Sequence, residues 1–429
     1  MYVRRLQINN VRSIEAFDLR LTADEAPGWH VILGSNGAGK SSVIRSLALA
    51  LAGPREAVAL RQDWSTWVRS GANSASIKIS VDCAQVDVFT GTGRRTESVD
   101  AELGITPLDS TIGGQRFQVV AQSGLKKAER TIWGSNTGWY SSSFGPFRRF
   151  TGGDQQYDRL FFTNPRLAPH LSAFGEDIAL TEGLRWLRDL RVKKLEQQDE
   201  GYNGQLLEKL ILFLNNSNLL PHGAKISEVR AEEITIIDGD GATVAVEQLS
   251  DGYRSVLSMI FEILRQMEKS YGAHQMIGAL DVEKSCVTLP GLVAIDEVDA
   301  HLHPSWQRDI GPWFTRCFPN VQFIVTTHSP IVCRAAKSVW RLSTPGDDDE
   351  SVRIEGDILN RLIRGSILEA YGTEFFGRDI SRSSDSKELL QELALLNRRA
   401  LRGALSDADR LRTNELRRIL PTSASDVDA

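Results

Sequence analysis

The feature that most constrains this fold is a glycine-rich loop that ends in a lysine and a serine. The segment Gly34-Ser35-Asn36-Gly37-Ala38-Gly39-Lys40-Ser41 fits the pattern GxxxxGK[ST], after an apolar run and before a stretch of helical periodicity. Glycines let the backbone wrap closely around phosphates, and a helix start adds partial positive charge. The pattern predicts a nucleotide site whose contacts are Gly34, Asn36, Gly37, Ala38, Gly39, Lys40, Ser41 and Ser42. Lys40 is expected to reach the β- and γ-phosphates, and the Ser41 hydroxyl is expected to hold Mg²⁺.

A second apolar run, Gly291 to Ile295, ends in the carboxylates Asp296 and Glu297. Asp296 is predicted to bind Mg²⁺ through waters that the ion retains. Glu297 is predicted to polarise the attacking water. The simpler alternative is an acidic helix cap or a solvated turn. Together with the glycine-rich loop, the pair favours hydrolysis of ATP with Mg²⁺ as cofactor.

Composition sets wide limits on the class of protein. The chain has 429 residues, of which 41% are hydrophobic, and a formal net charge of −5, so nothing global favours nucleic acid or an anionic membrane. No apolar run approaches the roughly 20 residues that a membrane span needs. The four cysteines have no metal-ligand spacing, which predicts reduced thiols and a cytoplasmic location.

Two further motifs follow the expected order of a known family. The segment Leu249–Ser255 reads LSDGYRS and resembles the LSxGxxS signature of ABC ATPases, and His328 follows a short apolar strand, as does that family's switch histidine. In that family the signature of one subunit caps the γ-phosphate held by another. The resemblance therefore implies a head-to-tail dimer in which Ser250 and Gly252 bind the partner's nucleotide. It also implies that Glu297, His328 and Lys40 are the catalytic residues.

Three segments are similar to the RecF/OLD-like branch of ABC ATPases, which includes ATPases of anti-phage systems such as Septu, retron-associated and PARIS systems. They are the start Leu6–Ile14, the run from Asp296 to Pro304, and Phe144–Arg149, which reads FGPFRR. The first of these implies a nucleotide contact for Arg12. A transporter subunit is disfavoured, because its signature is typically LSGGQ and lies closer to the acidic strand.

The glutamine that would complete the Mg²⁺ site is the least defined residue of the pattern. Gln122 ends an apolar strand and is predicted as a metal ligand together with Ser41 and Asp296. The segment 138–149 is the alternative for that position. Within it, Arg148 and Arg149 are expected either to contact phosphates or DNA, or to form a solvated pair.

These patterns predict an α/β fold, an ABC-type P-loop ATPase head with a mixed central sheet. We expect an N-terminal lobe over 1–150, a helical insertion over 151–226, a second lobe over 227–342 and a helical extension over 343–429. Alternating residues predict hairpins at 75–91 and 227–246. Ser406 and Asp409 form a predicted capping box, so Asp407-Ala408-Asp409 is not interpreted as part of a nuclease site.

The resemblance implies an ATPase sensor and scaffold in an anti-phage system, which controls a separate toxic effector from a neighbouring gene. The rival is a RecF-like repair ATPase that clamps DNA as an ATP-dependent dimer, and salt-sensitive duplex binding would favour it. The sequence predicts no membrane partner. It leaves open the identity of the effector, the trigger, and any binding of nucleic acid.

Overall fold

The computed structural model describes most of the chain, namely residues 1–89, 96–108, 116–134, 137–148, 160, 163–175, 180–196, 202–218, 220, 223–344, 346, 349–365, 370, 384–401 and 406–420. The chain divides into two compact units, Met1–Arg364 and Gly365–Ala429.

A five-stranded antiparallel sheet is formed by the N-terminal part of the first unit. Its strand order is β2-β1-β4-β5-β6, with the bounds Tyr2–Val11 (β1), Ile14–Arg20 (β2), Ala75–Asp82 (β4), Ser98–Leu108 (β5) and Arg116–Ser123 (β6). Burial alternates residue by residue along β4, as expected for a strand with one face on the core.

The partner of β4 differs from the one that the sequence predicts. The hairpin expected over 75–91 is wrong, because β4 pairs with β5 and not with residues 86–88. The Asp87 carboxylate accepts a hydrogen bond from the Ala84 amide at 2.7 Å and so closes a turn. Val86 and Val88 are exposed. Their alternation with polar residues therefore reflects a turn and not a strand.

The central sheet of the first unit has six strands in the order β16-β15-β3-β14-β13-β7. Its bounds are Gly28–Leu33 (β3), Ser141–Phe144 (β7), Gly291–Ile295 (β13), Val321–Thr327 (β14), Ala336–Arg341 (β15) and Val352–Ile354 (β16). All neighbours run parallel except β15 and β16, so the sheet is mixed, as predicted. Every residue of β3, β13 and β14 is buried, which agrees with their apolar and β-branched composition.

Helices cover this sheet and form the insertion between its strands. Helix α1 (Lys40–Ala52) is buried on nearly all sides, and among the described elements it contacts β14 and β7. The helices of the first unit are Lys40–Ala52 (α1), Pro54–Ala57 (α2), Leu125–Glu129 (α3), Thr181–Glu196 (α4), Tyr202–Asn216 (α5), Asp251–Tyr271 (α6), Ala273–Ala279 (α7), Pro304–Cys317 (α8) and Gly356–Arg364 (α9). Short 3₁₀ helices lie at Trp64–Trp67, Ala168–Ala173, Val246–Gln248 and Pro330–Ala335.

Two small sheets complete the first unit. The predicted hairpin at 227–246 is confirmed: Ile234–Ile237 (β9) pairs with Thr243–Ala245 (β10), and Lys225–Val229 (β8) adds a third strand. Leu280–Asp281 (β11) pairs with Cys286–Val287 (β12).

The first unit continues past residue 342, because β16 joins the central sheet and α9 follows it. The four-part division of the chain expected from the sequence stays a prediction. In the second unit, Ser384–Leu401 (α10) and Asp407–Ile419 (α11) share a small core of Leu393, Leu396, Leu416 and Leu420. The capping box of Ser406 and Asp409 is present at the start of α11. Among the described residues, no helix is both long and apolar enough to cross a membrane.

Candidate nucleotide-binding site

The glycine-rich loop joins the end of β3 to the start of α1. Gly37 and Gly39 have φ values of 80° and 99°, which residues with a Cβ rarely adopt. A Cβ on Gly39 would also lie 2.7 Å from Ile14 Cγ1 and 2.8 Å from Ser13 Oγ. The first N–H groups of α1 have no partner within the helix, so those of Lys40 and Ser41 are free of intrahelical bonds. The loop therefore has the backbone shape and polarity that an anionic phosphate requires.

Lys40 lies at the centre of this loop. Its ammonium donates to the carbonyl oxygens of Gly34 at 3.0 Å and Ser35 at 3.1 Å. Burial lowers the pKa of Lys40, and the negative charges of Glu297 and Asp296 oppose that shift. A buried ammonium that faces carboxylates across the site is a cation positioned to bind phosphate oxygens.

The carboxylate pair is held by the neighbouring strand. The Thr326 hydroxyl donates to Asp296 Oδ1 at 2.6 Å, and the Glu297 amide donates to Thr326 Oγ1 at 2.8 Å. Asp296 is buried, whereas Glu297 is half-buried and has a φ of 45°. This left-handed turn separates the two side chains, so the first carboxylate stays against β14 and the second is free to meet solvent.

His328 follows β14 and meets the phosphate loop. Its Nδ1 lies 3.5 Å from Lys40 Nζ. Burial lowers the pKa of His328, and the positive charge of Lys40 acts in the same direction. A neutral imidazole beside the lysine can accept or donate a hydrogen bond at the phosphate end of the site.

Arg12 lies in the turn between β1 and β2, which adjoins the phosphate loop through Ser13 and Ile14. Its guanidinium is 4.7 Å from the centre of the Trp67 ring, a cation–π contact. Burial lowers the pKa of Arg12, and the nearby charge of Arg45 on α1 adds to the effect. The structure thus brings Arg12 to the edge of the loop, and its contact with nucleotide stays a prediction.

The signature segment lies at the start of α6, where Ser250 is the N-cap and is exposed. A pocket of about 710 Å³ opens there, lined by Ser250, Gly252, Tyr253, His301, His303 and Trp306 among others. No residue of the phosphate loop lines it within the part of the chain that the structure describes. The two predicted halves of the nucleotide site are therefore separate within one chain.

Gln122 is not brought into this site. It is exposed near the end of β6, in the five-stranded sheet, and its side chain lies over Gly104. By contrast, β7 pairs directly with β13, and the Asp296 amide donates to the Phe144 carbonyl at 2.8 Å. The segment after β7, the alternative noted from the sequence, therefore lies next to the carboxylate pair, and a metal contact for Gln122 stays a prediction without a structural contact.

The solvated position expected for Arg148 is wrong, because the side chain is 5% exposed and its guanidinium donates to protein oxygens. A contact of Arg148 with phosphates or DNA stays a prediction. Arg149 lies outside the described residues. The run FGPFRR was the sequence signal for this position, but it does not reveal burial.

The histidines after Glu297, His301 and His303, belong to no larger cluster of ligand-type side chains among the described residues. In the described residues, no group of three or more His, Cys, Asp or Glu side chains could hold a metal ion. His303 caps α8 instead, where its Nδ1 lies 2.8 Å from Ser305 Oγ. Carboxylate and hydroxyl oxygens are the ligands that Mg²⁺ prefers, so Asp296 and Ser41 fit that ion better than these imidazoles do.

With the phosphate loop, the carboxylate pair and the histidine at the ends of β3, β13 and β14, the first unit has the fold of an ABC-type P-loop ATPase head. Family models agree with this class. One described as "AAA domain" matches residues 5–216, and one described as "AAA domain, putative AbiEii toxin, Type IV TA system" matches residues 161–334.

Curated relatives include ATPases whose names refer to retron and Septu systems. "Retron Ec83 probable ATPase" of Escherichia coli is 37% identical over 127 residues, covering 29% of this chain and 22% of the relative. "Septu protein PtuA" of Bacillus mycoides (strain KBAB4) is 24% identical over 352 residues, covering 78% of this chain and 39% of the relative. The chain is thus related to ATPases of anti-phage defence systems, and it spans well under half the length of these relatives.

Solved structures with similar folds include the head domains of SMC proteins. An SmcHead bound to the C-winged helix domain of ScpA has a TM-score of 0.47 and 15% identity, covering 83% of this chain and 98% of that one. The SMC head domain from Thermotoga maritima has a TM-score of 0.42 and 16% identity, covering 83% of this chain and 100% of that one.

Proposed function

We propose that this chain hydrolyses ATP in a head-to-tail dimer, and that the nucleotide state of the dimer controls a separate effector protein. The observation that carries the first part is the convergence of Lys40, His328 and the Thr326-held carboxylate pair on one phosphate loop. The second part is supported by the relatives, whose names refer to Septu and retron systems.

The residues present fit ATP with Mg²⁺. Gly37 and Gly39 provide a cradle of N–H groups, and the buried Lys40 ammonium provides the positive charge that the β- and γ-phosphates need. The Ser41 hydroxyl and the Asp296 carboxylate are the oxygen ligands that would hold Mg²⁺. The ion would neutralise charge that develops on the phosphates. Ser42 and Arg12 flank these groups.

Hydrolysis follows from the charges around the transferred phosphoryl group. The Glu297 carboxylate orients a water and accepts its proton, while Lys40 stabilises the negative charge on the phosphate oxygens. His328 lies 3.5 Å from Lys40 and would contact the γ-phosphate as a neutral hydrogen-bonding group. Most of the rate acceleration comes from this preorganised field, because phosphoryl transfer demands little covalent chemistry from the protein.

The dimer explains why the signature pocket and the phosphate loop are separate. Ser250 and the start of α6 present N–H groups at an exposed helix N-terminus beside the 710 Å³ pocket. A second copy docked head-to-tail would present its nucleotide to that pocket. Each site would then consist of the loop of one copy and the signature of the other.

The decisive experiment is Glu297→Gln in the presence of Mg-ATP, followed by native mass spectrometry and an ATPase assay. We expect a dimer that retains ATP and turns it over at least about a hundredfold more slowly than the wild type. Lys40→Ala is the matched control, which should stay monomeric because it does not hold the phosphates. A Glu297→Gln variant with the wild-type rate would refute the proposed base.

The effector is tested by co-expression with the neighbouring gene. We expect the wild type and Glu297→Gln to co-purify with its product in a nucleotide-dependent ratio. An ATPase dimer that does not bind the product of the neighbouring gene but retains DNA in low salt would instead identify a repair clamp.

A further inference from the structure

One buried guanidinium joins three elements around the carboxylate pair. Arg148 Nη1 donates to the Asp296 carbonyl at 2.8 Å and to the Gly145 carbonyl at 3.0 Å. Its Nη2 donates to the Glu297 carbonyl at 3.0 Å, and its Nε donates to Ser255 Oγ at 3.1 Å. The planar fork of arginine suits such simultaneous donation better than the single ammonium of lysine.

The two peptide carbonyls held by Arg148 flank the strained turn. Glu297 has a φ of 45°, a conformation that a residue with a Cβ adopts only when its surroundings hold it there. The Glu297 carbonyl also accepts from the Ala300 amide at 2.9 Å. Arg148 therefore fixes the orientation of both peptide groups on which the direction of the Glu297 side chain depends.

The arginine remains charged in this buried position. Burial lowers the pKa of Arg148 to about 10, while the negative charges of Asp296 and Asp299 oppose the shift. A cation at neutral pH donates stronger hydrogen bonds to carbonyls than a neutral group does. Its charge also compensates part of the acidic charge of the pair.

Ser255 links the same guanidinium to the signature. It lies on α6, five residues after the N-cap Ser250, and is buried. A helix moves as a rigid body over such a length, so a shift of its N-terminus at the pocket would also displace Ser255. Arg148 connects that helix directly to the backbone of Glu297.

We propose that Arg148 is a positioning residue, which sets the Glu297 turn and makes its geometry depend on the signature helix. This inference rests on the proposed ATPase function. A displacement of α6 at the signature pocket would move Ser255 and, through Arg148, the backbone of Glu297.

Steady-state ATPase kinetics of Arg148→Lys, Arg148→Met and Ser255→Ala test the proposal. We expect kcat of Arg148→Lys to fall about tenfold, with KM within about twofold of the wild type, because the phosphate contacts are intact. The kcat of Arg148→Met should fall further than that of Arg148→Lys, and the kcat of Ser255→Ala should fall about threefold. Arg265→Lys is the matched control, since that partly buried arginine pairs with Glu262 on the same helix.

The outcomes separate positioning from simple stability. Melting temperatures of all variants are measured, and rates are taken well below them. Wild-type kcat in both Arg148→Lys and Ser255→Ala would overturn the proposal, as would a loss confined to KM or to the melting temperature. If Arg148→Met does not fold, the kcat values of Arg148→Lys and Ser255→Ala still test the positioning role. Failure of the ATPase function itself would appear separately, as equal rates in the wild type and Glu297→Gln.

Discussion

The hydroxyl of Thr326 on β14 donates to the carboxylate of Asp296, which directly follows the neighbouring strand β13, at 2.6 Å. The same oxygen accepts from the amide of the next residue, Glu297, at 2.8 Å. One hydroxyl on β14 therefore fixes both the first carboxylate and the start of the left-handed turn that follows it.

Replacing Thr326 with Val keeps the shape of the side chain and removes both hydrogen bonds. We expect kcat for ATP to fall at least about tenfold, because Asp296 and the Glu297 turn lose their common partner. Stability should fall by about 1–3 kcal/mol, since a buried carboxylate oxygen and a partly buried amide lose a partner. Thr326→Ser retains the hydroxyl and should keep most of the rate. ATPase assays and urea unfolding measure both effects, and an active Thr326→Val would contradict the assigned role.

Gly39→Ala should abolish ATP binding. The new methyl group would lie 2.7 Å from Ile14 Cγ1 at a φ of 99°, so the loop must open to accommodate it. Gly71→Ala is the control, because Gly71 also has a positive φ, 86°, but nothing within 4 Å of the added carbon. We expect the control to lose about 1–2 kcal/mol of stability from backbone strain alone and to bind ATP normally. Isothermal titration with Mg-ATP distinguishes them, and normal binding by Gly39→Ala would show that the loop tolerates the methyl.

Gly252→Ala should separate nucleotide binding from dimerisation. A Cβ on Gly252 would lie 2.8 Å from the His301 carbonyl, which pushes the start of α6 away from the segment after the carboxylate pair. We expect normal ATP affinity at the phosphate loop but no ATP-dependent dimer and little hydrolysis. Gly278→Ala, with nothing within 4 Å, is the control and should behave as the wild type. Analytical ultracentrifugation with Mg-ATP gives the result, and a stable Gly252→Ala dimer would exclude this face from the interface.

Two buried histidines predict how stability depends on pH. Burial lowers the pKa of His30 to about 4 and that of His170 to about 3. Below pH 6.5 the unfolded chain takes up protons at these positions and the folded chain does not, so stability is complete above pH 6.5 and falls as the pH drops toward 4. The lowered pKa of each histidine should reduce the free energy of unfolding by roughly 2 kcal/mol between pH 7.5 and pH 5.

His170→Gln tests this dependence by urea unfolding at both pH values. His170 lies between the hydroxyls of Ser141 and Ser143, at 3.1 and 2.8 Å, and an amide can serve both. In this variant the fall in the free energy of unfolding that the two histidines cause should be about half as large as in the wild type. Substitution of the exposed His274 should leave the decline unchanged. An unchanged decline in His170→Gln would mean that this imidazole titrates in the folded protein.

The phosphate loop and the central strands were predictable because their signals are local. The loop motif and the apolar runs before Ser35 and Asp296 each depend on residues close in sequence, and the structure has these elements. The capping box at Ser406 is equally local. Such patterns need no knowledge of which distant segments meet.

The features that could not be predicted from the sequence are long-range pairings. Nothing near Ala75–Asp82 indicates that its partner lies at Ser98–Leu108, since alternation also occurs in the intervening turn. Likewise, the environment of Arg148 depends on β7 lying beside β13 and on a serine more than a hundred residues away. Gln122 was chosen for its place after an apolar strand, and only the sheet order reveals that this strand belongs to the other sheet.

The left-handed backbone at Glu297 lowers the stability of the fold, whereas the carboxylate at this position serves the proposed activity. Glycine, or to a lesser degree asparagine, adopts a φ of 45° at lower cost than glutamate does. Replacement by glycine would therefore make the protein more stable while removing the carboxylate. Changes that relieve strain at an active site commonly raise stability at the expense of activity. A descendant of this chain that needed only to bind nucleotide would thus be expected to lose its acid at position 297 before its lysine at position 40.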